Sequence, residues 1–127
     1  MSHILFVYGT LKQGFHNHHC LGDNARFLGI GVLPGFQMYH LGGFPAIAPW
    51  EPSATQEFQT AEHWKIHGEL YEVDDKGFKS CDRLEGYPDF YNRTQVKVIT
   101  EHGTITAWVY HFDKAPKAPL VKDGNWK

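Results

Sequence analysis

The apolar positions of this chain change period from one segment to the next, and each change predicts an element. Ile4–Tyr8 is a run of five apolar residues, long enough for a strand buried on both faces and too short for a helix. Ala25–Leu33 alternates large residues with glycine and predicts a strand with bulges. Pro34-Gly35 marks a turn, and Phe36–Leu41 predicts a second strand with Phe36, Met38 and His40 on one face. His63–Val73 alternates again, setting Trp64, Ile66, Gly68 and Leu70 against Lys65, His67, Glu69 and Tyr71. Gly68 reads as a bulge or a point of close backbone approach. Thr94–Thr100 and Thr104–Phe112 alternate on either side of Glu101-His102-Gly103. A three-residue loop ending in glycine predicts an antiparallel hairpin.

A helix is predicted between these strands. Asp74-Asp75 offers N-cap candidates, and the helix runs to about Glu85. Phe78, Cys81 and Leu84 recur in steps of three, which places them on one side, facing a core. Gly86 is placed to stop the helix and Pro88 prevents its resumption. One short helix among five or six strands predicts an α+β fold dominated by a curved, mostly antiparallel sheet or barrel, in a single domain over residues 1–127.

The connections carry less pattern. Phe15–Asn24 is polar and holds His16, His18, His19 and Cys20, residues that can ligate zinc. The spacing lacks the paired intervals of structural zinc sites and no matching pair follows, so loop histidines and no metal are expected. Gly42-Gly43-Phe44-Pro45 breaks the strand pattern, and Glu51–Glu62 reads as an exposed, mobile connection. The proline- and lysine-rich tail from Lys114 is expected to pack along the surface with Trp126 as its anchor.

Composition narrows the functional classes. Charged residues make up 20% of the 127 and the net charge is −2, so nothing points to nucleic acid or a membrane surface. No apolar run approaches the roughly 20 residues of a membrane span. Cys20 and Cys81 are too few for a disulfide framework and read as free thiols, Cys81 as core packing. The N-terminus shows no basic region and no small-residue cleavage site, so no signal peptide and a cytoplasmic location are expected.

Two stretches carry candidate chemistry. In Tyr8-Gly9-Thr10-Leu11 a glycine lets the backbone turn sharply and lets a ligand approach it, and successive N–H groups in such a turn can bind a carboxylate or carbonyl oxygen. An ordinary strand-to-turn transition is equally compatible with it. In Asp82–Arg93 the residue of interest is Glu85, at a helix C-terminus where the dipole disfavours its charged form. If also partly buried, it would hold its proton more tightly than a free glutamate, which suits acid–base work near neutral pH. A phosphate-cradling loop at Gly9–Gly14 is disfavoured, because the glycine and lysine spacing of such loops is absent.

Together these stretches resemble the γ-glutamylcyclotransferase-like, or AIG2-like, family. The resemblance rests on Tyr8-Gly9-Thr10-Leu11-Lys12 with Gly14 and Asn17, and on Asp82, Leu84, Glu85, Gly86, Pro88, Tyr91 and Arg93. Gly68-Glu69-Leu70-Tyr71 and Ala107-Trp108-Val109-Tyr110 look like the family's as well. The look is closest to the γ-glutamylamine cyclotransferase branch and its small bacterial relatives.

The resemblance implies a mixed barrel with a polar cavity, lined by Tyr8, Gly9, Thr10 and Leu11 through backbone groups and by Tyr91, with Glu85 as the acid–base residue. It implies conversion of a γ-glutamyl amide to 5-oxoproline and a free amine, with no cofactor and a small molecule as partner. Tyr91 is expected to orient Glu85 or the substrate, or else to be a barrel residue with its hydroxyl bonded. Arg93 is expected to tie the turn to nearby carbonyls or carboxylates. The rival reading is a binding module with the same cavity and no turnover; an intact Glu85 favours the enzyme.

Overall fold

A computed structural model describes residues 2–50 and 64–127. The opening apolar run forms β1 (Ser2–Val7), followed by β2 (Arg26–Pro34), β3 (Phe36–His40), β4 (Pro45–Pro49) and β5 (Lys65–Asp74). Helix α1 (Asp75–Glu85) comes next, then β6 (Asn92–Thr100), β7 (Gly103–His111) and a short β8 (Leu120–Val121). Five strands close a barrel in the order β1-β5-β2-β6-β7, and β4-β3-β8 form a second sheet. The closing contact between β1 and β7 is parallel; the other barrel pairs are antiparallel.

The continuous apolar character of β1 has a direct cause. Its side chains alternate between two cores, Leu5 and Val7 entering one, Phe6 and the following Tyr8 the other. Phe6 joins Leu33, Ile66, Leu70, Val98 and Val109, contributed by all five barrel strands, which makes this the barrel interior. Leu5 and Val7 join Tyr71, Val73, Phe78 and Cys81 between the barrel wall and α1. Fully burying one such side chain stabilises by about 1.5–3 kcal/mol, so β1 is held from both sides. Gly68 is a point of close approach, since a Cβ there would collide with the Val7 carbonyl oxygen. The bulge expected in β2 falls between Phe27 and Gly29.

Helix α1 begins and ends on its predicted signals. The Asp74 carboxylate accepts the Gly77 N–H at 2.8 Å. Gly86 turns left-handed at φ +66°, and its N–H and that of Tyr87 bond back to the carbonyls of Arg83 and Asp82. Phe78 and Cys81 face the core, but Leu84 is 40% exposed, against expectation. Steps of three slip about 60° each on a 3.6-residue helix, which carries Leu84 away from that side and toward the cavity described below.

Two elements depart from the pattern. Strand β4 was not predicted, because Pro45 and Pro49 bracket it; both sit at the ends of an edge strand, where proline is tolerated. Its Ala46, Ile47 and Ala48 are fully buried. The β6–β7 hairpin has a two-residue loop rather than three, because Gly103 already pairs with Thr100. In the tail, Trp126 is buried in the barrel-interior core, and the Lys12 ammonium donates to its carbonyl at 2.5 Å. The connection Glu51–Glu62 lies outside the described residues. Among the described residues no helix is long and apolar enough to cross a membrane, a statement that does not extend to strands.

Candidate active site

A cavity of about 370 Å³ opens where the two cores meet. Its floor is buried: Phe6 and Tyr8 reach it from the barrel interior, Val7, Leu11, Tyr91 and Tyr110 from the helix side. The backbone of Gly9 and Thr10 follows β1 into one wall, and Glu85 enters from the last turn of α1. The structure thus brings Tyr8, Gly9, Thr10, Leu11, Glu85 and Tyr91 to one cavity from segments far apart in sequence. This volume lies within the range of small-molecule sites.

The turn after β1 is tied through its carbonyls and side chains. The Gly9 carbonyl accepts the Lys12 N–H and the Thr10 carbonyl accepts the Asn17 N–H, each at 3.1 Å. Asn17 Nδ2 donates to the Thr10 hydroxyl at 3.0 Å. The N–H groups of Gly9, Thr10 and Leu11, by contrast, donate to no acceptor among the described residues. Successive main-chain donors beside a cavity are groups that can bind an anion. Gly9 is required by close packing: a Cβ there would sit 2.7 Å from the Pro45 ring.

Glu85 is half-buried, and its carboxylate makes no ion pair or hydrogen bond among the described residues. Burial alone raises its pKa from 4.5 to about 7. The N–H groups of Gly86 and Tyr87 meet the Arg83 and Asp82 carbonyls in the last turn of α1. The surrounding phenols are fixed and neutral. Tyr8 donates to the Tyr110 carbonyl at 2.7 Å and Tyr91 to the Pro45 carbonyl at 2.6 Å. Burial raises the pKa of Tyr8, Tyr91 and Tyr110.

Tyr91 touches Glu85 through the main chain, its N–H meeting the Glu85 carbonyl at 3.3 Å, while its hydroxyl is spent on Pro45. Arg93 pairs with Asp82 at 2.9 Å and lies over the rings of Phe78, Tyr87 and Trp108 at 4.3–4.6 Å. Asp82 also accepts the Tyr110 hydroxyl at 2.7 Å, so Arg93 and Tyr110 together anchor the last turn of α1. Tyr110 was legible only as a late strand residue, and Phe44, Leu84 and Phe90 were not singled out as cavity residues. Period-two alternation along β7 sets Tyr110 on one face with Trp108 but gives no sign that Tyr110 borders a cavity.

The histidine-rich segment contributes a short 3₁₀ turn, His18–Leu21. His18 Nδ1 lies 2.9 Å from the Leu11 carbonyl and His19 Nδ1 lies 3.1 Å from the His16 carbonyl. No group of three or more metal-ligating side chains converges among the described residues. Cys81 is fully buried and its thiol is pushed up to about 12, mainly by burial, which makes it packing rather than a nucleophile.

Fold and cavity define a small mixed-barrel protein in which one half-buried carboxylate shares a pocket with a donor-rich backbone turn. Residues 5–127 match the model of the family described as gamma-glutamyl cyclotransferase, AIG2-like. The chain belongs to that family. It is 36% identical over 124 residues to a Methanocaldococcus jannaschii protein named, provisionally, a gamma-glutamylcyclotransferase, covering 97% of this chain and 94% of that one. It is 33% identical over 109 residues to a Bos taurus gamma-glutamylaminecyclotransferase, covering 84% of this chain and 63% of the bovine protein. Among solved structures, a mouse AIG2-like protein superposes with a TM-score of 0.76 at 26% identity, over 95% of this chain and 86% of that chain.

Proposed function

We propose that the chain converts a γ-glutamyl amide into 5-oxoproline and a free amine, with Glu85 as the proton carrier. The observation that supports this reading is a half-buried carboxylate, its pKa raised by burial to about 7, sharing one cavity with three successive N–H groups that donate to no acceptor among the described residues. A group whose pKa lies near the working pH can take a proton in one step and give it up in the next without a large penalty either way.

The reaction is intramolecular. The α-amino nitrogen attacks the γ-carbonyl carbon, a C–N bond forms to close the five-membered ring, and the C–N bond to the departing amine breaks. Two protons leave the α-ammonium and two arrive on the departing nitrogen, so the amine leaves as an ammonium ion. Glu85 passes them one at a time. The protein mainly needs to hold the curled conformer, a contribution that can be large because the reacting atoms are already in one molecule. The N–H groups of Gly9, Thr10 and Leu11 are the candidates to hold the substrate carboxylate or the developing oxyanion. No oxidation state changes, and no nucleotide, metal or nucleophilic Ser or Cys is called for. Tyr8 and Tyr91 line the pocket as neutral walls.

The test is release of 5-oxoproline from a panel of γ-glutamyl amines, γ-glutamyl dipeptides and glutathione, with wild type and Glu85→Gln side by side. Turnover by wild type and near-absence in the variant support the reading. Equal turnover in both removes Glu85 from the mechanism. No turnover by wild type across the panel, with ligand binding retained, makes the chain a binding module.

A further inference from the structure

Burial along the cavity lining is graded. The floor residues Phe6, Tyr8, Leu11, Tyr91 and Tyr110 are 1–6% exposed, whereas Phe44, Leu84 and Phe90 are 37%, 40% and 54% exposed. These three apolar side chains therefore form the mouth. Phe44 and Phe90 meet edge to face at its rim, ring centroids 6.2 Å apart. Neither is loose. Phe90 is braced by Tyr91 at 4.9 Å and Phe112 at 5.3 Å, and the Phe44 carbonyl accepts the Leu41 N–H at 3.0 Å.

The charge inventory of the same lining is one-sided. Glu85 is its one carboxylate, His16 its one basic side chain, and no lysine or arginine takes part among the described residues. His16 belongs to the same 8–17 segment as the N–H groups. Residues 51–63, outside the described residues, contain no lysine or arginine in sequence and carry three glutamates. Neither source supplies a lysine or arginine for a carboxylate on the leaving side.

From this mouth we infer the class of leaving group: an amine with an apolar or aromatic body and no carboxylate, seated against the exposed surfaces of Phe44, Phe90 and Leu84. The inference rests on the cyclisation reading above and deepens it. An apolar body removes the exposed faces of both rings from water, which is favourable in proportion to the area covered, and an aromatic body adds edge-to-face geometry. A carboxylate on the departing side would be desolvated without a lysine or arginine partner and would stand near Glu85. Phe44 and Phe90 are on this view specificity-determining residues, outside the proton transfer.

Three compounds isolate the two terms: γ-glutamyl-2-phenylethylamide, γ-glutamylphenylalanine, which adds only a carboxylate, and γ-glutamylmethylamide, which lacks the body. For wild type, kcat/KM for 5-oxoproline release is expected to be at least about tenfold higher for the phenylethylamide than for either other compound. In the Phe44→Ala/Phe90→Ala double variant the ratio of phenylethylamide to methylamide should fall about tenfold. Both positions are surface-exposed, so the variant should fold. Equal or better use of γ-glutamylphenylalanine, or an unchanged ratio in the variant, overturns the inference and leaves the cyclisation reading standing. If no compound is turned over, calorimetric titration of wild type with the same three still decides. The same ranking of affinities retains the apolar seat at the mouth while the cyclisation reading falls, and equal affinities overturn the seat as well.

Discussion

The two ends of helix α1 carry carboxylates of opposite character. At the start, Asp74 accepts Asn24 Nδ2 at 2.9 Å and the Gly77 N–H at 2.8 Å, and these bonds hold its pKa below the ordinary value. Its neighbour Asp75 is lowered in the same way by His3, whose Nε2 lies 2.6 Å away. At the far end Glu85 has no such partner among the described residues, and burial raises it to about 7. One element thus uses Asp74, Asp75 and, in its last turn, the Arg93-paired Asp82 as bonded carboxylates that organise the fold, and leaves Glu85 without such partners among the described residues. What separates Glu85 from the other three is the supply of donors and water, since all four are carboxylates within one eleven-residue helix and its cap.

The largest test of this contrast is catalytic. Glu85→Gln keeps size and hydrogen bonding but cannot accept a proton, so 5-oxoproline release should fall about 10²–10⁴-fold with ligand affinity far less affected. The matching change at the other end, Asp74→Asn, should leave turnover within a few-fold of wild type in the same assay. A similar catalytic loss at both ends would erase the distinction.

The next test reads stability against pH. Between about pH 4.5 and 7 the unfolded chain ionises Glu85 while the folded chain keeps its proton, so the folded state loses stability as pH rises through that window. Glu85→Gln should therefore be more stable than wild type by about 1–3 kcal/mol above pH 7, allowing for the half-exposed side chain. The gain should vanish near pH 4, measured by denaturant titration at several pH values. Asp74 runs the other way: its depressed pKa contributes stability above the ordinary carboxylate range that is lost as pH falls through its folded value.

Smaller effects separate fold from chemistry. Tyr91→Phe removes a buried hydroxyl that donates to Pro45, which should cost about 0.5–1.5 kcal/mol in chemical unfolding and leave most of the activity. Loss of activity beyond the destabilisation would give Tyr91 a direct part in catalysis. Asp74→Ala removes the helix cap and should lower Tm by a few degrees, with turnover unchanged.

Much of this was legible in the sequence because the signals are local. The cap at Asp74, the stop at Gly86 and the alternation of β5, β6 and β7 follow from residue types within a few positions of each other. Glu85 could be singled out because a helix stop fixes its place in the chain. Strand β4 was hidden by its flanking prolines, and Leu84 was misplaced by a three-residue step that drifts around the helix. The cavity mouth was illegible for a different reason. Phe44 and Phe90 acquire meaning only when β4 and the turn after α1 meet, and nothing near either residue marks that meeting. The physical cause of the Glu85 shift likewise needed the fold, since burial is not a property of the local sequence.

Proton transfer by Glu85 turns on one number, the proton affinity of its carboxyl in the folded protein. Carbon-detected NMR titration of the glutamate and aspartate side-chain carboxyls, with the Glu85 signal assigned by its loss in Glu85→Gln, reads it directly. The expected result is a Glu85 midpoint near pH 7 and an Asp74 midpoint below the ordinary carboxylate value. A Glu85 midpoint near 4.5, that of a free glutamate, would contradict the claim that its burial sets it up for proton transfer.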